Sequence, residues 1–265
     1  MKRVYVLIGV LIVASAFFGC TTKEIEETVH TEEKGEEATG VAMPELKAKN
    51  IHANPITEWN DKQTMPDIDP TAFVHSLAAV IGDVHIGKYV CVSPQASVRG
   101  DEGMPLYIGD YSNIQDGVVI HALETRDGEG NVIEKNLVTG DDGKKYAVYI
   151  GDHVSLAHQS HVHGPAYIGS GTFIGMQAFV FKAKVGKNCV LEPTAKVIGV
   201  TIPDGRYVPA GMIVTNQTVA DNLPEITEDY AYRHTNEAVL HVNVELAKGY
   251  NAMYGKEIAE EEAEH

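Results

Sequence analysis

From Ile150 to Val180 the chain reads IGDHVSLAHQSHVHGPAYIGSGTFIGMQAFV, with an aliphatic residue at every sixth position: Ile150, Leu156, Val162, Ile168, Ile174 and Val180. The pattern extends in both directions. Upstream lie Val74, Val80, Ile86, Val92 and Val98, then, after a slip of phase, Ile108, Ile114 and Ile120. Downstream lie Val185, Leu191 and Val197, then Ile202, Val208 and Val214. All twenty positions are Ile, Val or Leu. The residue two before each is usually small, as at Ala72, Ala78, Ala96, Ser160, Ala166 and Ala178, and positions i−2 and i share one face of a short strand. Glycine often follows directly, at Gly87, Gly109, Gly151, Gly169, Gly175 and Gly186, where a corner is expected to need a residue tolerant of unusual φ. A six-residue period with inward aliphatics is the pattern of a parallel β-helix.

The repeat resembles the left-handed hexapeptide-repeat family, in which three hexapeptides make one triangular coil. That resemblance implies a mainly β fold, a left-handed parallel β-helix over residues 55–222, and twenty repeats at three per coil predict six to seven coils. The open ends of such a prism expose unpaired strand edges and need covers. From Leu223 to about Glu262 the pattern turns helical, with Pro224 and Glu225 opening it and Ala238, Val239, Val242 and Leu246 forming an apolar stripe. Residues 223–265 are therefore read as a C-terminal segment with an α-helix packed along the prism.

Ahead of the repeats, Lys2 and Arg3 precede an uninterrupted apolar run from Val4 to Phe18 that ends at Gly19-Cys20. A basic start and an apolar run too short for a transmembrane helix read as a secretory signal over residues 1–20. Gly19-Cys20 looks like a lipoprotein cleavage point, so Cys20 is the expected lipid anchor of an exported, extracytoplasmic protein. Residues 21–54, rich in Glu and Thr, read as a flexible acidic tether. The whole chain has 265 residues and a formal charge of −16. That balance excludes an electrostatic nucleic-acid binder, which needs a basic stripe. The three cysteines form no CxxC pair, so a metal site has to come from His and carboxylates. Cys189 falls on an inward position and reads as a buried structural thiol, whereas Cys91 is expected to point outward without a partner.

His121 follows Ile120 and His163 follows Val162, so each points outward just after an inward aliphatic. The count from Ile120 through Ile150 and Leu156 to Val162 is three repeats, one full coil. His121 and His163 are thus predicted to stack on adjacent coils about 4.8 Å apart, a spacing suited to two imidazoles on one metal. His158 lies two residues after Leu156, a third of a turn away, and faces another side of the triangle. In a threefold trimer of prisms a corner of one chain meets the face of its neighbour, so the geometry predicts metal sites at subunit interfaces. His75, His85, His153 and His161 read as solvated or hydrogen-bonded surface residues.

The runs Arg99-Gly100-Asp101-Glu102-Gly103-Met104-Pro105, Asn113-Ile114-Gln115-Asp116-Gly117 through His121, and His158-Gln159-Ser160-His161-Val162-His163-Gly164-Pro165 resemble a γ-class carbonic anhydrase of the archaeal branch. The likeness covers about residues 55–250 and includes an acidic loop, 124–145, expected to be mobile. It implies a homotrimer that hydrates carbon dioxide reversibly to bicarbonate and a proton. It also implies one divalent metal per subunit, Zn or Fe(II) with Co a further candidate, held by His121 and His163 of one chain and His158 of the next. Three neutral imidazoles leave the cation an open position at which a water has its pKa lowered to near 7. The resemblance makes Glu102 the carboxylate beside that water, Gln115 its hydrogen-bonding guide and Glu124 the outward proton shuttle. Arg99, Asn113 and Asn243 would meet substrate, and Arg99 with Asp116 would form an ion pair at the trimer interface. His241 departs from the family, where tyrosine is expected. Two other readings compete: a hexapeptide-repeat acyltransferase using one His as base, and a non-catalytic trimeric scaffold.

Overall fold

The inward aliphatics stack into three parallel ladders, and their register defines the computed structural model, which describes residues 50–255. The expected signal with Cys20, the tether as far as residue 49, and residues 256–265 lie outside the described residues. One ladder carries eight rungs centred on Ile51, Val80, Val98, Ile120, Val162, Val180, Val197 and Val214. A second carries seven, from Ile68 through Ile86, Ile108, Ile150, Ile168 and Val185 to Ile202. The third also carries seven, from Val74 to Val208. The solenoid therefore has seven full turns and an eighth rung, more than the six to seven coils expected. The difference comes from its entrance. Ile68 stands six residues before Val74, ahead of the counted repeats, and Ile51, within the expected tether, pairs with Val80 across a loop rich in proline. The core is this column of Ile, Val and Leu, with Ile86, Ile108, Ile120, Ile168 and Leu191 each under 2% exposed.

Glycine after the aliphatic turns out to serve space rather than φ. A Cβ on Gly109 would stand 2.6 Å from the Gly151 carbonyl carbon, and one on Gly151 would stand 2.8 Å from the Ser170 nitrogen. The corners that do need positive φ come two residues later, and side chains fill them: Tyr111 at 57° and His153 at 56°. Stacking offsets the strain there, since the Tyr111 and His153 rings lie 5.3 Å apart on successive coils.

The acidic excursion leaves after His121 and returns at Val148 without disturbing the ladder, because Val148 pairs with Leu106 and Ala166. It carries a 3-10 turn, Glu134–Asn136, and an antiparallel pair, Val138–Thr139 with Lys145–Tyr146. At the far end α1, Gln217–Asp221, is capped by the Asn216 side chain and brings Ala220 into the core cluster, with Leu223 just behind it. The long helix α2 begins only at Thr235 and runs to Met253. Its buried residues are Asn236, Asn243, Ala247 and Asn251, whereas Ala238, Val242 and Leu246 of the expected stripe face outward. Polar groups on the solenoid corner explain the reversal. Asn236 Nδ2 donates to the His153 and Gly171 carbonyls at 2.9 Å, and Asn251 Nδ2 donates to Thr71 at 2.9 Å and Ala72 at 3.3 Å. The helix rises about 22 Å between these asparagines, comparable to the roughly 17 Å between their acceptors at about 4.8 Å per coil. Cys91 does point outward, but α2 covers it: it is buried against Phe73 and Ala247.

Candidate metal centre

Ladder register places the candidate side chains on two separate faces. Strand Val119–His121 lies beside His161–Ile168 with Ile120 opposite Val162 and His121 opposite His163. Since Ile120 and Val162 point inward, their successors point outward, and the two rings meet with centroids 4.2 Å apart. His163 Nδ1 donates to the Gly164 carbonyl at 2.9 Å, leaving Nε2 with the lone pair. Burial holds the His163 imidazole below its ordinary pKa, against the opposing pull of the Gly164 carbonyl, and burial lowers His161 likewise. Neutral imidazole is the form that takes a metal.

Glu102 closes this face. Arg99 Nη2 donates to its Oε1 at 2.8 Å, while Arg99 Nε reaches Asp101 Oδ1 at 3.2 Å. His121 Nδ1 stands 3.4 Å from the same Oε1, within ion-pair range but not aligned as a hydrogen bond. His121 Nδ1 and Glu102 Oε2 are consequently buried without partners, a costly state unless something else completes them. Thr125 then ties the acidic loop to this corner. Its N–H and Oγ1 both donate to the Glu102 carbonyl, at 2.9 and 2.7 Å, and its Oγ1 accepts from the Met104 N–H at 2.6 Å. The loop expected to be mobile is thus anchored at its base. Asn136 Nδ2 holds the Glu124 carbonyl at 2.7 Å, and the Glu124 side chain is exposed.

On the third ladder, Asn113 is fully buried, donates to Ser155 Oγ at 2.8 Å and accepts from Gln115 Nε2 at 3.0 Å. One coil apart, His158 Nδ1 donates to Asp116 Oδ2 at 3.0 Å, which presents His158 Nε2 as the free nitrogen. Carboxylates orient metal-ligating histidines in this way. Asn243 faces the solenoid from α2 and donates to its own helix at the Val239 carbonyl, while His241 is exposed. Arg99 and Asp116 are not paired within the chain, since Asp101 and Glu102 engage the first and His158 the second.

The chain therefore holds two incomplete halves: Arg99, Glu102, His121 and His163 on one face, and Asn113, Gln115, Asp116 and His158 on another. Among the described residues no three His, Cys, Asp or Glu side chains converge on one cation position. The donor set nevertheless fits a divalent cation, with two imidazole tautomers fixed by their partners and a third ring nitrogen left orphaned. Cys91 and Cys189 fit no such role, because burial pushes both thiols up to about 11. His161, read from sequence as a surface residue, instead lies half-buried against His121, with centroids 5.5 Å apart. Its place two residues before His163 on one strand is the signal that could have found it.

No protein-family model matches the sequence. Among curated proteins, a carbonic anhydrase of Methanosarcina thermophila is 59% identical over 250 residues, which cover 94% of this chain and 97% of that protein. The carboxysome assembly protein CcmM of a Nostoc species is 44% identical over 199 residues, 75% of this chain but 34% of that longer protein. Among solved structures, a hexapeptide transferase family protein from Anaplasma phagocytophilum aligns with a TM-score of 0.44 at 25% identity, covering 71% of this chain and 93% of that one.

Proposed function

The chain belongs to the γ-class carbonic anhydrases, enzymes of reversible carbon dioxide hydration, and from that premise we propose that its reaction centre is assembled between subunits of a homotrimer. His121 and His163 of one subunit and His158 of the next hold one cation per subunit, Zn or Fe(II), with Co a further candidate. The cation supplies Lewis-acid activation of water near neutral pH. One observation carries the reading: three imidazoles are prepared for a metal, yet no single chain makes a converging trio among the described residues.

The remaining residues handle water, proton and substrate. Glu102 takes the released proton at Oε2, the oxygen left without a partner while Arg99 occupies Oε1. Glu124 passes it to solvent; it is exposed, and its neighbour Thr125 is bound to the Glu102 carbonyl. Gln115, steadied by Asn113, orients the reacting water from the partner face. Arg99 meets bicarbonate as it forms and pairs with Asp116 across the interface. Asn113 and Asn243 border the substrate pocket. Export through residues 1–20 and lipidation of Cys20 complete the proposal, supported by the basic start and apolar run; the mass of the membrane-extracted protein against Cys20→Ser tests it.

A non-catalytic trimeric scaffold is the second reading, favoured by the likeness to a carboxysome assembly protein. Protein purified without air, stripped, and reloaded with Zn or Fe(II) decides between them. Native mass should give a trimer with three metals, and stopped-flow assay should show hydration only after loading. A loaded trimer with no hydration in either metal form sinks the proposed centre and leaves the scaffold.

A further inference from the structure

Asn136 has no part in any step above, yet between Arg126 and Leu137 it is the one buried residue, at 4% exposed. It closes the 3-10 turn, and its Nδ2 reaches back twelve residues to the Glu124 carbonyl at 2.7 Å. That carbonyl and the Thr125 N–H belong to one peptide group, and the Thr125 N–H donates to the Glu102 carbonyl at 2.9 Å. A peptide group is planar, so a bond at each end fixes the orientation of the whole plane. The Ile133 N–H, donating to the Thr125 carbonyl at 2.8 Å, holds the approach to the turn against the next peptide. The Glu124 carboxylate, by contrast, is exposed, and among the described residues nothing bonds to it. Its direction is therefore set through its backbone.

We propose that Asn136 is a positioning residue for the proton relay: by fixing the Glu124–Thr125 peptide it keeps the Glu124 carboxylate within reach of Glu102. The inference rests on the reading of Glu124 as the group that passes the proton outward. In that step the proton leaves the Glu102 carboxyl, is taken by the Glu124 carboxylate and goes on to water or buffer. Handover needs the two carboxyls within a narrow range of distance and direction. With the Asn136 donor removed, the plane keeps only its Thr125 bond and can swing about it. The rotation is shared between ψ of Glu124 and φ of Thr125, so it re-aims the bond that carries the Glu124 side chain.

Full-length, metal-loaded enzyme tests this by stopped-flow rates in weak buffer and by amide exchange over residues 123–126. Asn136→Ala is expected to lower kcat by about 10-fold, within the roughly 100-fold that misplacing a group by about 1 Å can cost. It should spare kcat/KM, and imidazole buffer should restore part of kcat. The Thr125 amide should exchange about 10-fold faster, as loss of one restraining hydrogen bond allows. Combining Asn136→Ala with Glu124→Ala should lose no more than Glu124→Ala alone, because one acts through the other. Asn136→Leu, of similar shape but without a donor, repeats the series should alanine loosen the turn, and thermal melts check the fold. Wild-type kcat or exchange in both variants, a fall of kcat/KM in parallel, or losses that add in the double variant would each overturn the role of Asn136. If Glu124→Ala itself keeps full kcat, the reading of Glu124 falls and takes this inference with it, a result distinct from the others.

Discussion

Mixing two inactive chains measures whether the centre is shared. His121→Ala removes a ligand from the face, and His158→Ala removes one from the corner, two positions the register keeps on different ladders. In a cyclic trimer each site draws its face from one chain and its corner from the next. A working site needs a His158→Ala chain to supply the face and a His121→Ala chain to supply the corner. In an equal random mixture each condition is met about half the time, so about one quarter of sites are restored. Co-refolded chains, with mixed trimers verified by native mass, should therefore hydrate carbon dioxide at about a quarter of the wild-type rate above the mean of the two parents. Turnover is the proper readout, because the His158→Ala face retains the His121 and His163 imidazoles, and two ligands can keep some metal without a working centre. Mixed trimers that gain nothing over their parents would refute a centre divided between chains.

Four further outcomes follow from the same geometry. Glu102→Gln should keep its metal but lose turnover by on the order of 10²–10⁴, as for an acid–base group, and metal analysis beside stopped-flow rates checks both halves. Glu124→Ala should lower kcat while sparing kcat/KM, with imidazole buffer restoring part of kcat; a parallel fall without rescue would move Glu124 out of proton export. Asn251→Ala removes two hydrogen bonds from a fully buried amide and should cost about 1–3 kcal/mol in denaturant unfolding, with α2 loosened first. Asp141 is held below the usual carboxylate pKa by the Tyr167 hydroxyl at 2.6 Å and the Lys187 ammonium at 2.9 Å. A depressed carboxylate stabilises the fold above its unfolded pKa, and that contribution disappears as pH falls through the folded value. Asp141→Asn should therefore flatten the decline of the melting temperature below about pH 4 and leave it unchanged in slope near neutrality.

The fold was legible because a solenoid repeats one local decision. Each of the twenty aliphatics buries against the coils above and below, so a period in the sequence becomes a column in the core without any long-range information. The same arithmetic carried His121 to His163, since both hang from counted rungs. It faltered where local pattern and neighbour diverge. Val242 and Leu246 look like a buried stripe by helical spacing, yet α2 turns Asn236, Asn243 and Asn251 inward because the solenoid corner offers carbonyls rather than an apolar groove. Gly109 and its kin look like φ-tolerant corners, but the next coil, not the backbone angle, forbids them a side chain.

By itself, then, the sequence determined the stacked β-solenoid, the pairing of His121 with His163 and the separation of His158 from both, because each follows from counting along a repeat of fixed rise. Only the tertiary structure decided how the side chains are held. Arg99 takes one oxygen of Glu102 and leaves the other bare, Thr125 ties the acidic loop to the Glu102 carbonyl, Asp116 aims His158, and His161 joins the histidine face. These are contacts between groups on different coils or loops, fixed by directional bonds over a few ångströms, and no period along the chain encodes them.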